Sequence, residues 1–160
     1  DGFGSGASSA KEGILFQSLF DTWANHPLRL RFYGAAYEPL ADVSLHNVSS
    51  YGTTQGFQGQ VDPGFSTQVG IGGEYGLDQR WVLALDLVEN YAGAFHLNGT
   101  NGAGRLVQTN GATSTSFQVA PAVEFNWSGS MGVIAGVAFA AAGRNTASSI
   151  APQIALSMAF

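Results

Sequence analysis

Large apolar residues alternate with small or polar residues along the last eleven positions of this chain. Side chains on a β-strand point alternately to opposite faces, so this segment would present one apolar face and one small or polar face. The apolar set is Ile150, Pro152, Ile154, Leu156, Met158 and Phe160, and the other set is Ala151, Gln153, Ala155, Ser157 and Ala159. Such a face pattern is typical of a strand with lipid on one side and a polar lumen on the other.

Six earlier segments follow a period of two better than the 3.6-residue period of a helix. They lie at about residues 11–23, 28–33, 65–75, 81–88, 117–127 and 133–139. In the first of these, Ile14, Leu15 and Phe16 are consecutive, so a helical turn is the alternative there. The sequence therefore predicts about seven strands and an all-β, antiparallel, up-and-down fold.

The connections between these segments differ in length. Short ones lie at residues 24–27, 76–79 and 128–130, and long ones at about 42–64 and 98–113. Several aromatic residues, among them Trp81 and Trp127, lie beside the short connections, and tryptophan favours a membrane interface. Short turns at one end of the strands and long loops at the other are typical of transmembrane barrels of the bacterial outer membrane.

Composition supports this interpretation and excludes several other classes of protein. Charged residues make up only 11% of the chain, against about 25% in an average soluble domain, and a barrel exterior that faces lipid explains this scarcity. The longest apolar run, 131–143, is too short for a membrane-spanning helix of about 20 residues. Six basic residues against eleven acidic ones argue against nucleic acid as a partner, and the absence of Cys excludes a Cys-based metal site.

The sequence also predicts how the chain is organised into domains. Residues 1–10 are rich in Gly and Ser and predict a flexible segment, whereas residues 11–160 predict a barrel domain. Complete single-chain bacterial barrels have an even number of strands. We therefore interpret the seven strands as the C-terminal portion of a longer barrel of roughly 12 strands. The alternative is an eight-stranded barrel with an overlooked strand within residues 43–57.

Four segments, 79–86, 120–127, 131–136 and 142–146, resemble the C-terminal part of the "MetA-pathway of phenol degradation" family. Members of that family are transporter-like outer-membrane barrels of Gram-negative bacteria. The resemblance implies passive transport of small hydrophobic or aromatic compounds, without a cofactor. The terminal Phe160 resembles the signal that the barrel assembly machinery reads. Outer-membrane lipid and lipopolysaccharide are then the expected surroundings.

The polar face of the strands supplies the candidate lumen-lining residues. They are Arg29, Arg31, Gln68, Glu74, Asp86, Gln118, Glu124, Asn126 and Gln153. Five charged residues lie near the short connections and predict one layer across the barrel: Arg29, Arg31, Glu74, Arg80 and Glu124. Such a layer either sets ion selectivity or fills and rigidifies a polar interior. If it sets selectivity, Glu124→Lys changes the reversal potential.

Two other functional classes are compatible with the sequence. A small closed barrel could have a structural role or act as a lipid hydrolase, with His46 and His96 approaching each other at the loop side. The nearby serine would be Ser44, Ser49 or Ser50, and no Gly-x-Ser-x-Gly motif supports this. A soluble β-sandwich that binds a ligand is the third class, and it predicts solubility without detergent. We expect no catalytic residues and no metal site, since no spaced set of ligands occurs.

Overall fold

The computed structural model describes residues 8–22, 26–47 and 51–158, and in this part of the chain all regular structure is β-strand. Phe160 and Trp23 lie outside the described residues. No helix among the described residues is long and apolar enough to cross a membrane. The structure confirms the all-β, antiparallel class.

Eleven strands form two separate sheets. They are β1 (Ser9–Asp21), β2 (Pro27–Pro39), β3 (Val43–His46), β4 (Gln58–Asp62), β5 (Ser66–Gly76), β6 (Trp81–Ala92), β7 (His96–Thr100), β8 (Leu106–Asn110), β9 (Ser114–Ser128), β10 (Met131–Arg144) and β11 (Ile150–Met158). The larger sheet has seven strands in the order β1-β2-β5-β6-β9-β10-β11, and the smaller has four in the order β3-β4-β7-β8.

The seven strands predicted from alternation are the seven strands of the larger sheet, and the first of them is a strand rather than a helical turn. It begins at Ser9, inside the segment predicted to be flexible. The long connections predicted as loops are wrong in part, because each contains a pair of short strands. With only four or five residues each and glycine among them, these strands carry too little alternation to stand out from a polar loop.

The larger sheet is open in this structure. Within the described residues, strands β1 and β11 stand at the two ends of the strand order and are not hydrogen-bonded to each other, so no closed barrel is found. An additional strand does occur within residues 43–57, but it is β3 of the smaller sheet. The larger sheet therefore keeps seven strands. In an antiparallel sheet with an odd number of strands, the two edge strands run in the same direction, which disfavours antiparallel closure between them.

The chain divides into two compact units. The loop unit comprises residues 1–12, 36–67 and 91–114, and the sheet unit comprises residues 13–35, 68–90 and 115–160. The loop unit contains the four-stranded sheet and the only cluster of buried apolar side chains found among the described residues. Its members are Val43, Leu45, Phe57, Val61 and Leu97. Since strands alternate, these residues occupy one face of the small sheet and leave its other face polar.

Phe57 covers a pair of glycines at the centre of the small sheet. Gly59 on β4 lies opposite Gly99 on β7. A Cβ atom added at Gly59 would lie 2.2 Å from the carbonyl oxygen of Asn98 and 2.7 Å from the Phe57 ring. The two strands can therefore approach, and the ring can lie over them, only because neither position carries a side chain.

We expect Gly59→Ala to destabilise the loop unit by about 1–3 kcal/mol, the usual cost of forcing extra atoms into a packed site. Gly129→Ala is the matched control, because a Cβ atom at Gly129 meets nothing within 4 Å. The measurement is the free energy of unfolding from denaturant titration, followed by the fluorescence of Tyr51 and the other tyrosines. Equal stability of the two variants would show that the close approach at Gly59 is not a packing constraint.

The short connection from β5 to β6 is held by Asp78. Its Oδ1 atom accepts hydrogen bonds from the backbone N–H groups of Arg80 (2.7 Å) and Trp81 (2.8 Å). These bonds favour the ionised carboxylate, so they hold the pKa of Asp78 below its usual value. The turn brings Trp81 to the start of β6, where its ring packs 4.6 Å from that of Phe125 on β9.

Candidate functional site

The two faces of the seven-stranded sheet differ sharply within the sheet unit. One face carries large apolar side chains that remain 38–51% exposed although most of them lie on interior strands: Leu30, Phe32, Val69, Ile71, Trp81, Leu83, Leu85, Phe117, Val123 and Trp127. In a folded domain, a contiguous apolar surface of this kind marks contact with lipid or with another protein. No described residue covers it.

The opposite face is lined by small and polar residues. A Cβ atom added at Gly70 would meet the Tyr33 ring, and one added at Gly72 would meet Asp86 and Arg31. The side chains of Tyr33, Arg31 and Asp86 therefore lie flat over glycines on the neighbouring strand β5. The residues of this face occupy the same alternate positions along the strands as the residues predicted to face a lumen.

An ion-pair network of four residues joins β2, β5 and β6 on this polar face. Arg29 binds Glu74 through Nε and Nη2, with Nε 2.7 Å from Oε2. Arg31 places Nη1 2.8 Å from Glu74 Oε1 and Nη2 3.3 Å from Asp86 Oδ1. The Glu74 side chain is 10% exposed, against 42% for Arg29 and 30% for Arg31. Two guanidinium groups balance two carboxylates, so the network as a whole is neutral.

The ion-pair network contains three of the five residues predicted for the charged layer, and the other two, Arg80 and Glu124, are not part of it. Arg80 lies in the turn before β6, where its backbone N–H donates to Asp78 and its backbone oxygen accepts from Asn126. Glu124 is on β9, three strands from β2 in the sheet order, which corresponds to about 14 Å. No ion pair is formed by Glu124 within the described part of the chain. Asp86, predicted to face the lumen but not to belong to this layer, completes the network instead.

A second polar row crosses the same face nearer the loop ends of the strands. The Gln68 side-chain amide donates to Asn90 Oδ1 at 2.9 Å, and the Asn90 amide donates to Ser116 Oγ at 3.4 Å. Sequence reasoning identified Gln68 but missed Asn90, Ser116 and Tyr33. Tyr33 lies inside the predicted segment 28–33, at a position with the parity of Arg31. Asn90 and Ser116 lie two residues and one residue beyond their predicted segments, so a small extension of those segments would have found them.

The remaining predicted lumen residues lie on β9 and β11. The sheet register places Glu124 opposite Ile134, Ala122 opposite Gly136 and Gly136 opposite Gln153. The Asn126 side chain lies over Gly132, where a Cβ atom would be 2.1 Å from Asn126 Oδ1. Gln118 is aligned with Ala140 on β10. These residues share the polar face, but they are separate from the ion-pair network.

A concave cavity of about 660 Å³ lies on this face of the sheet unit. Its polar part is formed by Arg31, Glu74, Asp86 and Gln153, and its apolar wall includes alanines on β6, β9 and β11. Residues of β2, β5, β6, β9, β10 and β11 all contribute to the lining. The cavity volume can admit a molecule of modest size, and alanine and glycine keep part of the wall open.

The two histidines suggested for a hydrolase do not lie close together, and Ser49 and Ser50 are outside the described residues. His46 on β3 is aligned with Gln58 on β4, and Gln58 with Thr100 on β7, which is four residues from His96. Strand spacing and rise put the two histidines about 16 Å apart. His96 instead bonds Asn110 Oδ1 through Nδ1 at 2.8 Å. Among the described residues, no group of three or more His, Asp or Glu side chains is arranged to hold a metal ion.

Comparison of the chain with protein-family models, with curated proteins and with solved structures finds no match.

Proposed function

We propose that the seven-stranded sheet is part of an outer-membrane β-barrel that allows passive transport of small solutes. The observation that carries this proposal is the apolar face of the sheet unit, with ten large side chains 38–51% exposed. Lipid would cover that face, while the polar face with its small residues would line a lumen. This is the division of faces that transmembrane barrels show.

The open edges fit a barrel with more strands than this sheet provides. Antiparallel closure between β1 and β11 needs an odd number of further strands, since these two edges run in the same direction. Five further strands would give the roughly 12-stranded barrel suggested by the sequence. They would come from elsewhere in the same gene product or from another chain. A barrel of 12 strands has a wider interior than one of eight, whose own side chains fill it.

The chemistry of the cavity lining indicates which class of solute would pass. Its apolar wall and neutral ion-pair network provide few unbalanced charges, so it suits small, uncharged and moderately hydrophobic molecules better than ions. Polar contacts along the path would come from Gln68, Gln118, Asn126 and Gln153. The proposed partners are therefore such solutes, together with outer-membrane lipid and lipopolysaccharide, and the assembly machinery that would read Phe160.

The test is localisation followed by transport. The gene product that contains this chain is expected in the outer-membrane fraction, soluble only in detergent, and able to release an entrapped uncharged aromatic dye from liposomes. Recovery in the soluble fraction without detergent would instead favour the soluble binding module. Membrane location without dye release would favour a closed barrel with a structural role.

Glu124→Lys provides a sharper test of the lumen assignment. Because Glu124 has no ion-pair partner among the described residues, reversing its charge should shift a conducting pore toward anions. For an ion passing about 8 Å away in water, the change of two charges is worth about 1 kcal/mol, or roughly fivefold in the permeability ratio. The measurement is the reversal potential in a salt gradient.

The control for this prediction is Glu38→Lys, the same charge change at an exposed position on the opposite face of β2. We expect the Glu38 variant to keep the reversal potential of the unmodified protein. A conducting pore whose reversal potential is the same in all three proteins would refute the assignment of Glu124 to the lumen.

A further inference from the structure

The outward face of the four-stranded sheet in the loop unit is polar and almost uncharged. The strand register aligns Ser44, Gln60, Asn98 and Gln108 in one row across β3, β4, β7 and β8. All four side chains are exposed. With strands about 4.8 Å apart, the row extends for about 14 Å.

A second row crosses the end of the same face. Asp62, His96 and Asn110 are aligned on β4, β7 and β8. The bond between His96 Nδ1 and Asn110 Oδ1, at 2.8 Å, restricts the rotation of both side chains before any ligand arrives. Ligand binding then costs less conformational entropy than it would with freely rotating side chains.

Most side chains in these two rows can both donate and accept hydrogen bonds. Each side-chain amide offers two N–H donors and a carbonyl acceptor, and the serine hydroxyl also does both. Sugar hydroxyls have the same dual character, so one amide can donate to one hydroxyl of a sugar ring and accept from its neighbour. A row of such groups across four strands matches the repeating hydroxyls of an extended polysaccharide.

The charges and apolar groups of the face disfavour other polymers. The four strands contain no Lys, Arg or Glu, and Asp62 is their sole acidic residue. Phosphate-rich polymers depend on Lys and Arg for affinity and would find none in these strands. Leu106 is the one large apolar side chain on this face, at 84% exposure, so an apolar peptide has no continuous patch to contact.

We propose that this face binds a neutral polysaccharide chain, through the aligned amides of Gln60 and Asn98 at its centre. Leu106, at the edge of the sheet, offers an apolar contact for the C–H face of a sugar ring. The proposal stands apart from transport, because it uses the loop unit alone and needs no open lumen.

The test is retention of the purified full protein in detergent micelles on immobilised dextran and on immobilised mannan, with immobilised heparin as the anionic comparison. We expect retention by at least one neutral polysaccharide and none by heparin. The double variant Gln60→Ala/Asn98→Ala should bind about tenfold more weakly, as expected from the loss of two hydrogen-bonding amides. Gln55→Ala, which removes an exposed amide from the loop before β4, should bind as the unmodified protein does.

Three outcomes would overturn the proposal. The first is that neither neutral polysaccharide retains the protein. The second is that heparin retains it at least as strongly as the neutral polysaccharides do. The third is that the double variant binds as strongly as the unmodified protein. A second copy of the chain could also occupy this face, and light scattering tests for it. A dimer that dissociates in the double variant would assign the face to self-association. Fluorescence spectra of the variants in native buffer verify that each one is folded.

Discussion

Phe57→Ala is expected to unfold the four-stranded sheet or to leave it only marginally stable. The Phe57 side chain is 1% exposed and lies in contact distance of Gly59 and Gly99, neither of which has a side chain to fill the space left behind. Removing a buried phenylalanine ring costs about 3–5 kcal/mol, since burial energy is lost and a cavity remains. The other residues of the buried cluster are held in the hydrogen-bonded strands of the small sheet. They could therefore not move far enough to fill the cavity left by the ring.

Backbone hydrogen exchange is the measurement that isolates this effect. The amides of Val61 and Leu97 should lose their protection in the variant, because the sheet that protects them depends on the ring. Leu106→Ala is the control, since that side chain is 84% exposed and its removal should change stability by less than about 0.5 kcal/mol. Full protection of Val61 in the Phe57 variant would mean that the buried cluster does not hold the sheet together.

Glu74→Gln is expected to have the second large effect, because Glu74 is the centre of the ion-pair network. It contacts both Arg29 and Arg31, and its own side chain is only 10% exposed. The substitution keeps the shape of the side chain but leaves two guanidinium groups opposite the single carboxylate of Asp86. Loss of one partner from a buried pair costs about 3–5 kcal/mol, and the partial exposure of both arginines reduces this to about 1–3 kcal/mol.

Two readouts separate the structural and the transport consequences. The thermal midpoint in detergent should fall, and a conducting pore should shift toward anions, because the network changes from neutral to one net positive charge. Glu38→Gln, an exposed carboxylate on the other face of β2, should leave both quantities unchanged. A lower midpoint with an unchanged reversal potential would limit the network to filling and rigidifying the interior, the alternative considered from the sequence.

The alternation of residue types was sufficient to predict the larger sheet. A period of two is a local property, and it extends over six or more residues in each of the predicted segments, so no knowledge of neighbours was needed. For the same reason, the position of each residue in the alternation was enough to place four charged side chains on one face. They are Arg29, Arg31, Glu74 and Asp86. Membership in the ion-pair network was harder to predict, because it depends on which strands are adjacent. The sequence distance from Arg31 to Asp86 is 55 residues, yet only β5 separates their strands.

Alternation along the chain was enough to establish the class of fold, the number of strands in the larger sheet and the division of residues between its faces. These properties follow from side-chain direction along one strand. Three features depend on how the folded chain brings its segments together. Asp86, and not Glu124, completes the network, the two long connections build a sheet of their own, and β1 and β11 are edge strands that are not paired with each other. Each of these depends on pairing between distant segments, and short strands acquire their stability only from the partners and the buried cluster that the pairing creates.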